Sequence, residues 1–358
     1  MTDQEKARAA IQLLLQTCHS VADSMSTRPN SLEHPPLSVL QKDLLSLLSL
    51  IYGSVTKLSL ALKPSSPTYS ACLVPIQDLS NRMIALSHCI NMFSPSEHGA
   101  TLTKEMLSIA TNLTSAVGAL ASTLLEIERS GQTSGGDYLV RTGTVHDIIE
   151  TTRSKDGLSI DNLIAVRRIW QQDIGPLEDG IREVEEMLQD AQSEANPEED
   201  DGWDELGIGP SKPLTEEESK RAAKVLNVLR LCNVLHKKVI SDVLSGPPSS
   251  LSNNFLDKLA SLSPTLLSTS DELISTLDSP HDVNSITAEL SAVQRIVDDI
   301  RNLLSSLKTD PDLNALTGQL AGTSLTEKAA VPTNRNPREK WLNACFDQIT
   351  KAVQLAAT

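Results

Sequence analysis

Val283-NSITAELSAVQRIVDDIRNLLSS-Leu307 decides the fold class of this chain by its spacing alone. Apolar residues fall at Val283, Ile286, Leu290, Val293, Val297, Ile300, Leu304 and Leu307, an unbroken alternation of three and four. At 3.6 residues per turn they form one continuous stripe along one helix. Ser279-Pro280 ahead of the stripe reads as a cap followed by a first-turn proline, whose missing N–H costs nothing there.

The same period recurs on both sides. Ile160, Leu163, Trp170, Ile174, Leu177, Ile181, Val184, Leu188 and Ala191 make a second stripe that keeps phase through Gly175-Pro176. It predicts one long kinked helix or two helices nearly in line. Glu178, Arg182, Glu183, Glu185 and Glu186 read as its solvated face. Leu37, Leu44, Ile51 and Leu58 form a heptad ladder, with Leu40, Leu47, Leu48, Val55 and Leu62 beside it. A dimerising zipper would flank such a ladder with alternating Glu and Lys, and here the flanks are Ser and Leu. The ladder is therefore expected to be the core seam of an intramolecular bundle.

Further helices are expected at Asp3–Met25, Tyr69–Met92, Thr101–Glu128 and Thr215–Leu244. Shorter ones are expected at Val145–Arg153, Leu251–Leu262, Thr265–Leu277 and Pro337–Ala356. Thr215-x-x-Glu218 is a capping box, and Asn336-Pro337-Arg338-Glu339 repeats the device. Ser130–Gly136 and Ala329–Arg335 read as loops. No strand pattern competes, so the fold class is all-α.

Composition agrees. Of 358 residues, 39% are hydrophobic but only 3% aromatic, so the core must be aliphatic, which suits helix-on-helix packing. A net charge of −15 argues against nucleic acid, whose phosphates need a surplus of Lys and Arg. Five unpaired cysteines (Cys18, Cys72, Cys89, Cys232, Cys345) fit small buried thiols in a reducing compartment. The polar start MTDQEKARAA makes a poor secretory signal. The uncharged run Leu44 to Thr56 is too short to span a bilayer. The expectation is a soluble intracellular protein without a membrane partner.

Motifs for chemistry are sparse. No phosphate-binding G-x-x-x-x-G-K-[ST], no G-x-G-x-x-G after a strand, no H-E-x-x-H and no G-x-S-x-G occurs. Cys232 and His236, four apart on one helix, make at most half a metal site, and core packing is the favoured reading. His146-Asp147 near Glu150 is polar enough for acid–base work but lacks a neighbouring nucleophile. No catalytic residue, cofactor or metal is expected.

One stretch stands apart: Glu194 to Glu218, EANPEEDDGWDELGIGPSKPLTEEE. Aligning Gly202 with the glycine of a calcium loop puts Pro197 and Ile208 at ligand positions, and both fail. Carboxylates without nearby cations repel one another and keep such a segment extended. It is expected to be the acidic linker 196–213 between an N-terminal bundle, 1–195, and a C-terminal bundle, 214–358. A tryptophan is costly to leave in water, so Trp203, Asp204 and Leu206 are the candidate partner-binding residues, for a basic apolar groove on this chain or on another. Four Ser-Pro pairs, at Ser66, Ser94, Ser263 and Ser279, fit either helix capping or proline-directed phosphorylation.

The order of elements resembles the cyclin-D-binding proteins, the GCIP family. The resemblance runs through DGIREVEEMLQDA (179–191), EEDDGWDELG (198–207) and VLNVLRLCNVLHKKVISDVL (225–244). It continues through LSPTLLSTSDELISTLDSP (262–280), ITAELSAVQRIVDDIRNLLSSL (286–307) and WLNACFDQITKAVQLA (341–356). It implies an all-helical pair of bundles similar to those of α-catenin and vinculin, no enzymatic activity, and a nuclear and cytoplasmic protein that binds D-type cyclins and restrains cell-cycle progression. Its protein partners would be a cyclin or a cyclin-dependent kinase complex. Arg301-Asn302-Leu303-Leu304 has the outline of a cyclin-docking R-x-L, but Leu304 belongs to the buried stripe. A cytoskeletal adaptor of the vinculin or α-catenin type remains the alternative, on fold analogy alone.

Overall fold

The structure is a computed structural model that describes residues 1–26, 34–131, 136–191, 214–247, 251–307 and 337–358. Among the described residues every regular element is helical and there is no strand. In chain order the helices are α1 (Asp3–Ser26), α2 (Leu37–Ala61), α3 (Tyr69–Asn91), α4 (Pro95–His98), α5 (Ala100–Ser130) and α6 (Asp137–Arg153). They continue with α7 (Asn162–Gln172), α8 (Ile174–Asp190), α9 (Glu216–Lys238), α10 (Asn253–Ser275), α11 (Val283–Ser306) and α12 (Pro337–Ala356). A π-helical turn, Val239–Val243, prolongs α9.

Contacts gather these helices into two compact units, Met1–Ala165 and Val166–Thr358. The division falls inside α7, well before the acidic stretch 196–213, which lies outside the described residues. As a result α8, assigned from sequence to the first bundle, packs against α9 and α10 in the second unit.

In the first unit α1 packs on α3 and α5, α3 on α2, α2 on α6, and α6 on α5, a closed ring of five helices. Its core is aliphatic, as the composition requires, with Leu14, Leu44, Ile51, Leu58, Met83 and Leu120 among the fully covered side chains. Each such side chain contributes about 1.5–3 kcal/mol by leaving water. The heptad ladder is thus an internal seam: Leu44, Ile51 and Leu58 face the core, with Leu37 packed against its edge. Helices α2 and α5 are long and apolar enough to cross a membrane by length and composition, and these buried stripes account for that apolarity. At the start of α5, Gly99 has φ +92, and an added Cβ would meet the Asn162 side chain at 2.0 Å. Asn162 Oδ1 accepts the Leu102 N–H at 3.0 Å, so it caps α5 where the Gly99 residue cannot.

The second unit closes a similar ring, α8 to α9 to α12 to α11 to α10 and back to α8. The opening stripe is its spine: Ile286, Leu290, Val293, Val297, Ile300 and Leu304 are all buried on α11. Helix α8 meets α10 closely at Gly180, where a Cβ would lie 2.7 Å from Ile274 Cδ1.

Several boundaries differ from the sequence reading. The two short helices expected at Leu251–Leu262 and Thr265–Leu277 are one helix, α10, with Pro264 inside it. The stripe Leu256, Leu259, Ser263, Leu266, Ser270 and Leu273 stays in phase across the proline, and its burial outweighs the lost backbone bond. The long stripe from Ile160 breaks at Asp173, not at Gly175-Pro176. The break places Pro176 in the first turn of α8, where no N–H is missed. Helix α11 is capped by Asp282, which accepts the Asn284 N–H at 3.0 Å, and not by Ser279. Of the face read as solvated on α8, Glu185 pairs with Arg230 and Glu178 with Lys237 on α9. Both pairs are about half exposed and add little stability.

Candidate interaction site

Trp203, Asp204 and Leu206, the docking residues expected from sequence, lie outside the described residues. What the structure adds are three polar clusters, each between helices, and a set of exposed apolar side chains.

The first cluster is in the second unit. Trp170 on α7 is fully buried and stacks on His236 of α9, with ring centroids 4.6 Å apart and planes 24° from parallel. Its indole Nε1 donates to the Leu259 carbonyl at 3.1 Å. Ser263, on α10, donates its hydroxyl proton to Asp173 Oδ2 at 2.6 Å, and its Oγ lies 2.9 Å from His236 Nε2. A hydroxyl has one proton, and the carboxylate takes it, so Nε2 carries a hydrogen and donates to Oγ. His236 Nδ1 is then an acceptor, and it is buried without a partner. Burial drives the His236 pKa down to about 4, with Lys237 adding to the shift, so the ring is neutral at physiological pH.

These are the parts of a catalytic triad in a different order. In a triad the histidine accepts the serine proton and the carboxylate orients the histidine. Here the histidine donates to the serine, the serine donates to the carboxylate, and Ser263 has no exposed surface. The arrangement ties α7, α9 and α10 together and does not activate a nucleophile.

The second cluster lines α2 and α6 in the first unit. Tyr52 stacks on His146 at 3.9 Å and donates its hydroxyl to Glu150 Oε1 at 2.9 Å. Thr56 Oγ1 lies 3.1 Å from His146 Nε2 and 2.9 Å from the Tyr52 carbonyl, to which it donates. One step further, Ser59 and Thr142 share a 2.6 Å bond. Partial burial lowers the His146 pKa, while the Glu150 charge works against that shift. The same carboxylate raises the Tyr52 phenol, chiefly through the hydrogen bond.

The third cluster centres on Glu218. It forms the capping box expected with Thr215, and it also accepts the His281 N–H at 2.8 Å and the Ser279 hydroxyl at 3.4 Å. Bonds from the Thr215 N–H first, and then from the His281 N–H, hold its carboxyl down at about 2. The capping carboxylate thus ties the α10–α11 turn to the start of α9.

Exposed large apolar side chains lie on α2 (Leu50, Leu60), α3 (Val74, Ile84) and α6 (Leu139, Val140) in the first unit. In the second they are Val234, Val283, Trp341 and Leu355. Lys238 sits over Trp341 at 5.0 Å, and Arg301 over Phe346 at 5.6 Å. Arg301 also donates to Asp347 at 2.9 Å, which ties α11 to α12, and Leu304 is buried on α11, so both ends of the R-x-L outline are engaged. All five cysteines are free and buried, with Cys18 and Cys232 pushed up to about 12 by desolvation. Among the described residues no three metal-ligating side chains gather. Cys232 and His236 belong to the packed interior of α9.

The sequence singled out His236, His146 and the nearby Glu150, but not the bonds that join them to other helices. The bonds to Ser263 and Asp173 join residues 27 and 90 positions apart, beyond any local motif. Residues 43–190 match the family model Grap2 and cyclin-D-interacting, N-terminal, and residues 199–302 match Grap2 and cyclin-D-interacting, C-terminal. No curated protein matches the chain.

Proposed function

Since the chain belongs to the Grap2 and cyclin-D-interacting family, we propose that it is a non-enzymatic regulatory adaptor that binds a D-type cyclin, alone or with its kinase, and restrains cell-cycle progression. The carrying observation is the extent of the match, which reaches residues of both compact units. The family is a protein-interaction family, and its name speaks of cyclin D and Grap2 as partners. The polar clusters support the same reading, because their serine, histidine and carboxylate groups are committed to joining helices. Trp203, Asp204 and Leu206 supply the docking contact in this proposal. The protein works in the cytoplasm and the nucleus.

Affinity capture from native extract tests this, with wild type beside a Trp203→Ala, Leu206→Ala variant. Recovery of a cyclin or cyclin-dependent kinase by the wild type alone supports both the adaptor and its docking residues. Recovery by both proteins moves the contact onto the helices. Co-sedimentation with actin filaments in place of cyclin capture would favour a cytoskeletal adaptor.

A further inference from the structure

We propose that Ser66 is the residue at which a proline-directed serine kinase modifies this protein in its folded state. The inference goes beyond the adaptor reading and stands whether or not the partner is a cyclin.

The chain holds four Ser-Pro pairs, and the structure describes all of them. A kinase must draw its serine and the flanking residues into a cleft, so a side chain or backbone committed to packing has to unfold locally first. Ser263 is fully buried inside α10 and holds both Asp173 and His236 through its hydroxyl. Ser94 is buried, its N–H donates to His98 Nδ1 at 3.0 Å, and its hydroxyl bonds Ser96 at 2.8 Å. Ser279 is half-buried, and its hydroxyl faces Glu218. Ser66 differs on each count. It is exposed, as are Ser65, Pro67 and Thr68, and it lies in the turn between α2 and α3. Among the described residues its hydroxyl makes no hydrogen bond, and its N–H makes a single turn bond to the Lys63 carbonyl at 3.0 Å. Exposed connections of this kind are where chains are most open to modifying enzymes.

The donor is ATP. Ser66 Oγ attacks the γ-phosphorus, the bond from that phosphorus to the bridging oxygen of ADP breaks, and the hydroxyl proton passes to the kinase's catalytic carboxylate. The product carries about −1.5 to −2 added charge two residues before Thr68, the cap residue of α3. That helix has no acidic residue in its first turn and no side-chain cap, so the added charge suits its positive end. Neighbouring Ser65 and Pro67 line a cavity of about 300 Å3 with Ile11, Tyr69, Leu124 and Glu128, so the phosphate lies beside its mouth. The modification changes surface charge without disturbing the helices.

The test incubates the folded full-length chain with ATP and a recombinant cyclin-dependent kinase, reading phosphate by intact mass and peptide mapping. The expected result is one phosphate, on Ser66, absent from Ser66→Ala. Synthetic peptides carrying Ser94 or Ser263 are expected to be modified by the same enzyme, so that burial and not local sequence protects those serines. Modification of Ser94, Ser263 or Ser279 in the folded protein at the rate of Ser66 would overturn the proposal. So would a folded protein whose Ser66 stays unmodified.

Discussion

Two clusters in this protein use nearly the same parts with opposite surroundings. In the second unit a Trp170 ring covers His236, whose Nε2 meets a serine hydroxyl that in turn meets Asp173. In the first, a Tyr52 ring covers His146, whose Nε2 meets a threonine hydroxyl, with Glu150 on the tyrosine. His236 has no exposed surface, whereas His146 is half-buried beside a carboxylate. Burial, and not the list of groups, decides how far each histidine titrates and how much each hydrogen bond matters.

The comparison breaks most visibly if the aromatic rings are removed. Trp170→Ala is expected to cost about 3–5 kcal/mol through the cavity it opens. Tyr52→Ala, at the surface, should cost about 1 kcal/mol. Differential scanning calorimetry separates the two, and equal losses would contradict the account.

Acid sharpens it next. A histidine held neutral in the folded state binds a proton first when the chain unfolds, so stability falls as pH drops below about 6.5 and the loss is complete near His236's folded pKa of about 4. The loss amounts to on the order of 3 kcal/mol at about 1.4 kcal/mol per unit. Denaturant titrations from pH 7 to 4.5 should show it, and His236→Gln should flatten the curve. Glu218 acts in the same sense in a lower window. Its stabilisation is present above about 4.5 and is lost as pH falls toward 2.

Smaller effects follow. Ser263→Ala leaves the His236 Nε2–H and Asp173 without a partner and should cost about 1–3 kcal/mol. Tyr52→Phe removes one bond from a carboxylate that water can reach and should cost about 0.5 kcal/mol. Chemical denaturation at pH 7 measures both, and a reversed order would mean that the surface seam is the tighter of the two.

These clusters also mark how far the sequence could be read. The stripe of α11 and the ladder of α2 were legible because their core faces are nearly all aliphatic and keep one period. Helix α6 was foreseen only from Val145, although it begins at Asp137. Its core face is Tyr138, Thr142, Val145, Ile149 and Thr152, while Leu139 and Val140 point to solvent, so the usual apolar pattern is partly inverted. Pro264 hid the continuity of α10, because burial on both sides of it is a tertiary effect. The polar clusters were illegible for a similar reason: each joins helices that only the fold brings together. The absence of aromatic residues from most of the core, by contrast, followed directly from composition.

Binding is the claim on which the functional account rests, and calorimetry with a purified D-type cyclin tests it most directly. The full-length wild type, His236→Gln and His146→Gln are titrated side by side at a temperature where all three are folded. The account predicts saturable binding with the same affinity for all three, because both histidines hold helices within their own units. No heat of binding to the wild type would contradict it. A loss confined to His146→Gln would do so as well, by making the surface seam the docking site.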